Sequence, residues 1–508
     1  MQRGDMDWLE KELETLSRDL ELEPESREGA LVVAIDQGGH ASRAVAFDLS
    51  GRAVADAYAT VTTRRDGPDR VEQDADEVAA SIVSVLADLA DSLGERATRV
   101  AACGLATQRS SIVCWDRASG AALSPVISWQ DRRNADWLDS LQPQADRIRA
   151  LTGLVLSPHY GASKLRWCLE HLPEVAAAAR RGRLVMGPLA SFLAHRLVKD
   201  RAPLVDPANA SRTQLWDPTT RTWSSELLEL FGIPLACLPD TVPSRSDYGR
   251  IRFGDREVPL RVCTGDQCAA AFAHGWPTAD AVKFNVGTGG FLLCTFEESP
   301  PADARLLRSV LWADEDRVLL ALEGTINGAG SALDWLAGHI GLDPHRAARA
   351  LTRSRVDELD IPLFLNAVSG LGSPYWLAQA QSGFVGGGDE LAQVAAVIES
   401  IAFLARANVD EMRSIRPALA RIEVTGGLAA ADYLCQALAD VTGLPVARLA
   451  TPEATACGLA YLTAFEPTSW QPDTTTTTFD PTTNPALLER YVRWQHGMQK
   501  LVPLRATR

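Results

Sequence analysis

The chain has 508 residues, 46% hydrophobic and 23% charged, which excludes wholesale disorder, a collagen-like fibre and a disulfide scaffold. At about 100–200 residues per domain it is long enough for two or three. A net charge of −15 and a pI near 5.1 repel phosphate backbones, so nucleic acid is not an expected partner; no run approaches the ~20 uninterrupted apolar residues of a membrane span, so no membrane association is expected either.

Residues 1–29 are expected to form a helical extension. Leu9, Leu13, Leu16 and Leu20 recur at helical spacing, and the polar stretch ELEPESREG follows as a linker. Such a helix packs on the body or on a partner. The acidic start MQRGDMDWLEKELETL has no apolar core of a signal peptide. The nine cysteines are scattered, and Cys263 and Cys268 match no common zinc spacing. A reducing, cytoplasmic location is the expectation.

From residue 30 strands and helices alternate, the pattern of an α/β protein. LVVAID and RAVAFDL are strand-length apolar runs around a glycine turn. DADEVAASIVSVLADLADSL places Val78, Ile82, Val85 and Leu89 on one helical face, and RVAACGLAT and SSIVCWD are strands again. A second cycle starts near residue 260: the strand PLRVCTGD, the hairpin VKFNVGTGGFLLCTF, the long helix VAAVIESIAFLARANVDEM, the strand RIEVTGG and the helix LAAADYLCQALADVTG. The strand–glycine turn–strand unit thus occurs twice, which predicts two similar halves with a cleft between them. The expected domains are 30–273 and 274–466, followed by a tail, 467–508. That tail reads as less ordered through the run Thr474–Thr478. It then forms a last helix capped by Asn484, with Leu487, Tyr491, Trp494 and Met498 on its docking face.

Four places carry chemistry. In IDQGGHASRAVAFD, Asp36 ends a buried strand, where a carboxylate requires water, a cation or a donor. Gly38 and Gly39 let backbone amides approach phosphate oxygens, and Arg43 adds charge; the plain alternative is a tight hairpin capped by Asp36. In NVGTGGFLL, Gly287, Gly289 and Gly290 flank Thr288 in a second turn of phosphate-binding type, or in a simple glycine hairpin. In RVCTGDQCAAAF, Asp266 stands at a strand end, placed to accept a proton, to hold a hydrated cation or only to cap a helix. In IEVTGGLAAAD, Gly426 and Gly427 offer bare backbone to a ring or phosphate, or serve helix–strand packing. Together they describe a nucleotide held between two glycine elbows.

These residues sit in a longer series. DQGGHASRAVAFD, CGLATQRSSIVCWD, SWQDRR, NASRTQLWD, ELLELFGIPLACLPDTVPS, GDQCAAAF, GTGGF, LEGTINGAGSALDWL, SGLGSPYW, IESIAF and TGG follow one another from about Leu31 to about Phe465. The series resembles the FGGY carbohydrate kinases, most closely the glycerol kinase branch. The resemblance implies two actin-like (ribonuclease H-like) domains around a central cleft. It also implies ATP- and Mg2+-dependent transfer of the γ-phosphoryl group to a hydroxyl of a small polyol or sugar. By the same resemblance Asp266 is the catalytic base and, with Asp36, lies near the metal. Gly38, Gly39, His40 and Arg43 form the phosphate loop, and Gly287, Thr288, Gly330, Asp334, Gly427 and Ala431 fall on nucleotide positions. Arg109, Ser110, Trp129, His159, Tyr160, Gln267 and Phe272 line the substrate side.

The chain departs from the family pattern in both sites. Gly39 and His40 replace two threonines and Ala41 a serine, so hydroxyl contacts to phosphate are lost while backbone amides remain. Ser110 replaces a glutamate that binds glycerol oxygens, and His159 stands at a glycerol-contacting tyrosine, with Tyr160 beside it. Asp334 and Ala431 replace amide residues near the adenine, and Thr425 replaces an aspartate. The smaller Ser110 leaves room for a longer ligand, so glycerol, a longer polyol and a ketose all stay open. A catalytically weakened nucleotide- or sugar-binding regulator is the alternative function. Homodimeric or tetrameric assembly is left open.

Overall fold

A computed structural model describes residues 29–199, 202–297, 305–315, 317–377, 379–450, 453–472 and 474–501. The expected N-terminal helix lies outside the described residues. The chain divides into two compact units, Met1–Pro277 with Ser309–Leu319 and Pro452–Asp473, and Thr278–Arg308 with Leu320–Thr451 and Thr474–Arg508. The units interleave along the sequence, so neither is a single contiguous range.

In the first unit the apolar runs Leu31–Gln37 and Ala41–Asp48 pair antiparallel, with Asp36 opposite Arg43. They belong to a seven-stranded sheet ordered Val198–Lys199, Arg250–Phe253, Arg256–Gly265, Val100–Thr107, Leu31–Gln37, Ala41–Asp48, Ala53–Thr60. Leu31–Gln37, Val100–Thr107 and Arg256–Gly265 run parallel, and their ends align: Gln37 faces Thr107, and Thr107 faces Gly265. Loops at the carboxyl ends of parallel strands are where ligands of open α/β sheets bind. Helix Ala75–Leu93 covers the sheet with the expected buried residues Val78, Ile82, Val85 and Leu89. Its N-terminus is capped by Asp74, which accepts from the amides of Asp76 and Glu77. A five-stranded sheet, Thr63–Asp66, Arg70–Gln73, Val126–Ile127, Ile112–Asp116 and Leu184–Pro188, packs with helix Gly161–His171 around Ile112, Cys114, Leu165, Cys168 and Met186.

The second unit repeats the plan. Ala281–Val286 and Gly290–Phe296 form an antiparallel hairpin, Arg421–Thr425 runs parallel to the first of them, and Val446–Ala450 runs parallel to that. The recurrence read in the sequence is therefore a recurrence of sheet topology. Helix Glu390–Ile415 is long and apolar enough to span a membrane, but 83% of its apolar window is buried inside the protein, as a core helix. All nine cysteines are free and buried.

Two expectations change. The threonine run is ordered: Thr475–Phe479 is a strand paired antiparallel with Val446–Ala450, because β-branched residues suit an extended edge whatever their polarity. The segment LAAAD does not open the following helix directly. Gly427–Ala430 is a 3₁₀ turn, and the α-helix runs Asp432–Thr442. The final helix, Pro485–Leu501, buries Leu487, Tyr491, Trp494 and Met498 as expected, and Asn484 Oδ1 accepts from the Leu487 amide at 3.2 Å.

Candidate active site

The first elbow, residues 38–40, is held by three glutamines that the motif reading passed over. Gln37 Nε2 donates to the Gly38 carbonyl at 2.7 Å, and Gln73 Nε2 donates to that of Gly39 at 2.9 Å. Gln108 Nε2 ties the set together, donating to Gln73 Oε1 at 2.8 Å and to Gln37 Oε1 at 3.2 Å. Thr63 Oγ1 adds a second donor to the Gly39 carbonyl, at 2.9 Å. In a trans peptide the C=O and N–H point in opposite directions. Carbonyls anchored on buried glutamines therefore turn the amides of Gly39 and His40 away from them. A side chain at Gly39 would meet no atom within 4 Å, so that face is open. The arrangement suits an anion at two backbone donors.

The expectation for Gly38 needs correction: its amide donates to the Ala41 carbonyl at 2.8 Å and closes the turn. Neither Gly38 nor Gly39 has positive φ, so the elbow needs glycine for open access rather than for backbone conformation. The His40 side chain is exposed, and its carbonyl accepts from the Val61 amide at 2.8 Å.

Beside the elbow three acids and two arginines converge. Arg43 pairs with Glu453, a residue with φ of +53°, and lies over the Tyr58 ring at 5.5 Å. Arg109 Nε is 3.9 Å from Asp266 Oδ1. Asp36 Oδ1 is sealed from solvent and makes no hydrogen bond. Burial first, then the charges of Asp266 and Glu453, raise the Asp36 carboxyl from 3.8 to about 7, with Arg43 opposing. An orphaned carboxylate oxygen facing further acids fits a divalent cation. Among the described residues no cluster of three His, Cys, Asp or Glu has metal-holding geometry. Magnesium in general takes one or two carboxylates and completes its shell with phosphate oxygens and water. Asp266 opens the short helix Asp266–Ala270 at the end of strand Arg256–Gly265, and its Oδ1 accepts from the Gln267 amide at 2.7 Å. Its side chain keeps about a quarter of its surface, 26%, exposed.

The expected substrate residues fall into two groups. Ser110, Trp129, His159 and Tyr160 come together. The Trp129 and His159 ring centroids are 5.6 Å apart, and those of His159 and Tyr160 are 5.0 Å apart. Arg212 covers Tyr160 at 5.3 Å. The Trp129 amide donates to Ser111 Oγ at 3.0 Å, next to Ser110. Ser110 has φ of +65°, and its buried Oγ has no hydrogen-bond partner. Phe272 is a correction: its ring is fully buried against Trp276 and Trp312 and offers a substrate no exposed atom.

In the second unit the Gly287–Gly289 turn is closed by the Gly287 amide on the Gly289 carbonyl at 2.8 Å. The Gly330 amide donates to the Gly287 carbonyl at 2.9 Å, and the Ser331 amide to the Thr288 carbonyl at 3.0 Å. Helix Gly330–Ala337 is thereby fastened to the turn, and a Cβ at Gly330 would lie 2.7 Å from the Gly287 oxygen. Gly426, with φ of +97°, packs under Val286, whereas Gly427 has nothing within 4 Å of a Cβ and is the open surface. Asp334 is exposed and bonds His345 Nε2 at 2.7 Å. Ala431 is fully buried, so direct contact with a ligand is not available to it.

Sequence reasoning missed Glu453 and Lys164 as well as the glutamines. Glu453 reads as an ordinary acid at a helix start. Lys164 carried a visible signal, a lone cation beside Leu165 and Cys168 on an apolar helix face.

Residues 31–273 match the model of the FGGY family of carbohydrate kinases, N-terminal domain, and residues 282–466 match its C-terminal domain. The glycerol kinase of Burkholderia ambifaria (strain MC40-6) is 35% identical over 454 residues, covering 87% of this chain and 90% of the relative. That of Shewanella oneidensis is 33% identical over 486 residues, covering 92% and 98%. Among solved structures, Plasmodium falciparum glycerol kinase with ADP superposes with a TM-score of 0.84 at 23% identity, covering 93% of this chain and 98% of that one. Rhodospirillum rubrum xylulose kinase gives 0.78 at 24%, with the same coverage. The fold is that of these kinases, two actin-like domains.

Proposed function

The chain belongs to the FGGY family of carbohydrate kinases and is an ATP-dependent sugar or polyol kinase, and we propose that its acceptor is a small linear polyol or ketose, glycerol included. The observation that carries this reading is the placement of Asp266. It stands at the carboxyl end of a parallel strand, partly exposed, 3.9 Å from Arg109 and within electrostatic reach of Asp36. Asp266 accepts the acceptor's hydroxyl proton as that oxygen bonds to the γ-phosphorus and the bond to the β-phosphate oxygen breaks, releasing ADP. Arg43 and the Gly39 and His40 amides bind the anionic oxygens, and the Thr288 turn with Gly427 takes the nucleotide. Asp36 and Asp266 would hold magnesium, which supplies charge neutralisation when bound. Little covalent chemistry is asked of the protein beyond alignment and charge.

On the acceptor side, Ser110, Trp129 and His159 form the pocket, with Arg109 and Gln267 beside the base. Trp129 and His159 keep part of their surface exposed, whereas Ser110 Oγ is sealed from solvent and has no hydrogen-bond partner. A cytoplasmic location agrees with nine free, buried cysteines. Incubation with ATP, magnesium and glycerol, xylitol or D-xylulose should release ADP with at least one acceptor; no turnover on any of the three defeats the reading. Asp266→Asn should lower kcat by roughly 10²–10⁴-fold with affinity for ADP in magnesium-free buffer unchanged. Equal loss of both would remove Asp266 from the base role.

A further inference from the structure

Lys164 lies in the first turns of helix Gly161–His171 and is fully buried. Its Nζ donates to three backbone carbonyls, those of Ser110 at 3.2 Å, Ser128 at 2.9 Å and His159 at 2.8 Å. Nζ thus has three carbonyl acceptors, as many as its charged form has N–H groups. The carbonyls belong to three segments far apart in sequence. Each segment carries or adjoins a residue of the acceptor pocket: Ser110 itself, Trp129 after Ser128, and His159 itself.

Burial lowers the Lys164 amine from 10.5 to about 7, and the charge of Asp131 only partly opposes this, since Arg133 acts the other way. Asp131 is fully buried and accepts from the Val71 amide at 2.7 Å and from Arg133 Nε and Nη2 at 2.8 and 2.7 Å. Arg133 also pairs with Glu72 at 2.5 Å. One of the segments stores backbone strain, since Ser110 is a non-glycine residue at φ of +65°. A donor on its own carbonyl is a direct means of holding it there.

We propose that Lys164 is a positioning residue for acceptor specificity: one buried amine clamps the backbones of residues 110, 128 and 159 and so sets the spacing of the Ser110, Trp129 and His159 side chains around the acceptor. The inference rests on the acceptor-pocket reading above. A substitution that removes the clamp loosens acceptor binding first: the three Lys164 hydrogen bonds go to neither the glutamine-held elbow nor the Thr288 turn, and the elbow is linked to the clamp only indirectly, through Ser111 Oγ donating to Gln108 Oε1 at 3.0 Å. The signature is therefore a split between substrates.

Lys164→Met and Lys164→Gln, in the full chain, are assayed with glycerol, xylitol and D-xylulose as acceptors. KM for the acceptor should rise about 10- to 100-fold, the preference among the three should flatten, and the KM for ATP should stay within about twofold. The glutamine variant, which keeps two donors, should lie between wild type and Met. A folded variant whose acceptor KM is unchanged, or whose acceptor and ATP constants rise together, overturns the clamp. If neither variant folds, hydrogen exchange of the wild type decides. Acceptor binding should slow residues 110–111, 128–129 and 159–160 together, about tenfold or more, and slowing confined to one segment overturns the proposal. A wild type inert towards all three acceptors fails the pocket reading itself, and the clamp falls with it, an outcome distinct from an active enzyme indifferent to Lys164.

Discussion

Asp36 shows how one buried atom ties stability to chemistry. Its folded carboxyl titrates near 7 instead of 3.8, chiefly because burial disfavours the charged form. A raised folded pKa contributes stability that is fully present below the unfolded value and is lost as pH climbs through the folded one. Between about pH 4 and 7 the native state holds a proton that the unfolded chain has released. In magnesium-free buffer, Asp36→Asn should therefore melt higher than wild type at pH 8, with a smaller advantage at pH 5; thermal melts across that range check it, and an advantage that shrinks as pH rises contradicts the assignment. Asp36 and Asp266 were legible as strand-end acids, for which burial without a partner is costly. Glu453 was not, because its approach to Arg43 depends on a chain reversal some 400 residues away. Gln37, Gln73 and Gln108 come from three strands or strand ends, and only the register of the sheets brings their amides to one elbow.

At the scale of elements, a turn and a helix act as one device in the second unit. Helix Gly330–Ala337 begins against the Gly287 carbonyl, and that contact leaves no space for a methyl group. Gly330→Ala should push the helix start off the turn and weaken binding of β,γ-imido-ATP by roughly tenfold or more, while acceptor KM changes little; calorimetric titration measures it, and unchanged nucleotide affinity would detach the turn from nucleotide binding. The strands, the glycine turns and the amphipathic helices around this device were readable from period and punctuation. The edge strand Thr475–Phe479 was not. A polar threonine run gives no burial pattern, and its order comes from pairing with Val446–Ala450. Phe272 and Ala431 show the opposite failure: both lie in motifs, but packing removed their side chains from any accessible surface.

For the whole molecule, ligand linkage is the accessible measurement. β,γ-imido-ATP with magnesium at about 100 times its dissociation constant should add roughly 2.7 kcal/mol to stability, and an acceptor alcohol should add to that. Differential scanning of the full chain reads both, and an unaltered melting profile under saturating nucleotide would count against a nucleotide site. The net charge of −15 is compatible with this anionic ligand only because cationic and amide donors are concentrated locally, at Arg43, Arg109 and the first elbow.

By itself the order of residues determined the α/β class, the duplicated hairpin plan, the family and the acids at strand ends. These follow from local periodicity, from backbone chemistry at glycine, and from motifs that survive without knowledge of contacts. Tertiary structure alone decided which amides face outward, which acids crowd Asp36, which aromatic rings stay accessible and what the Lys164 amine binds. Those properties depend on burial and on hydrogen bonds between residues tens to hundreds of positions apart, and no local pattern encodes the energy of a contact until the chain has closed on itself.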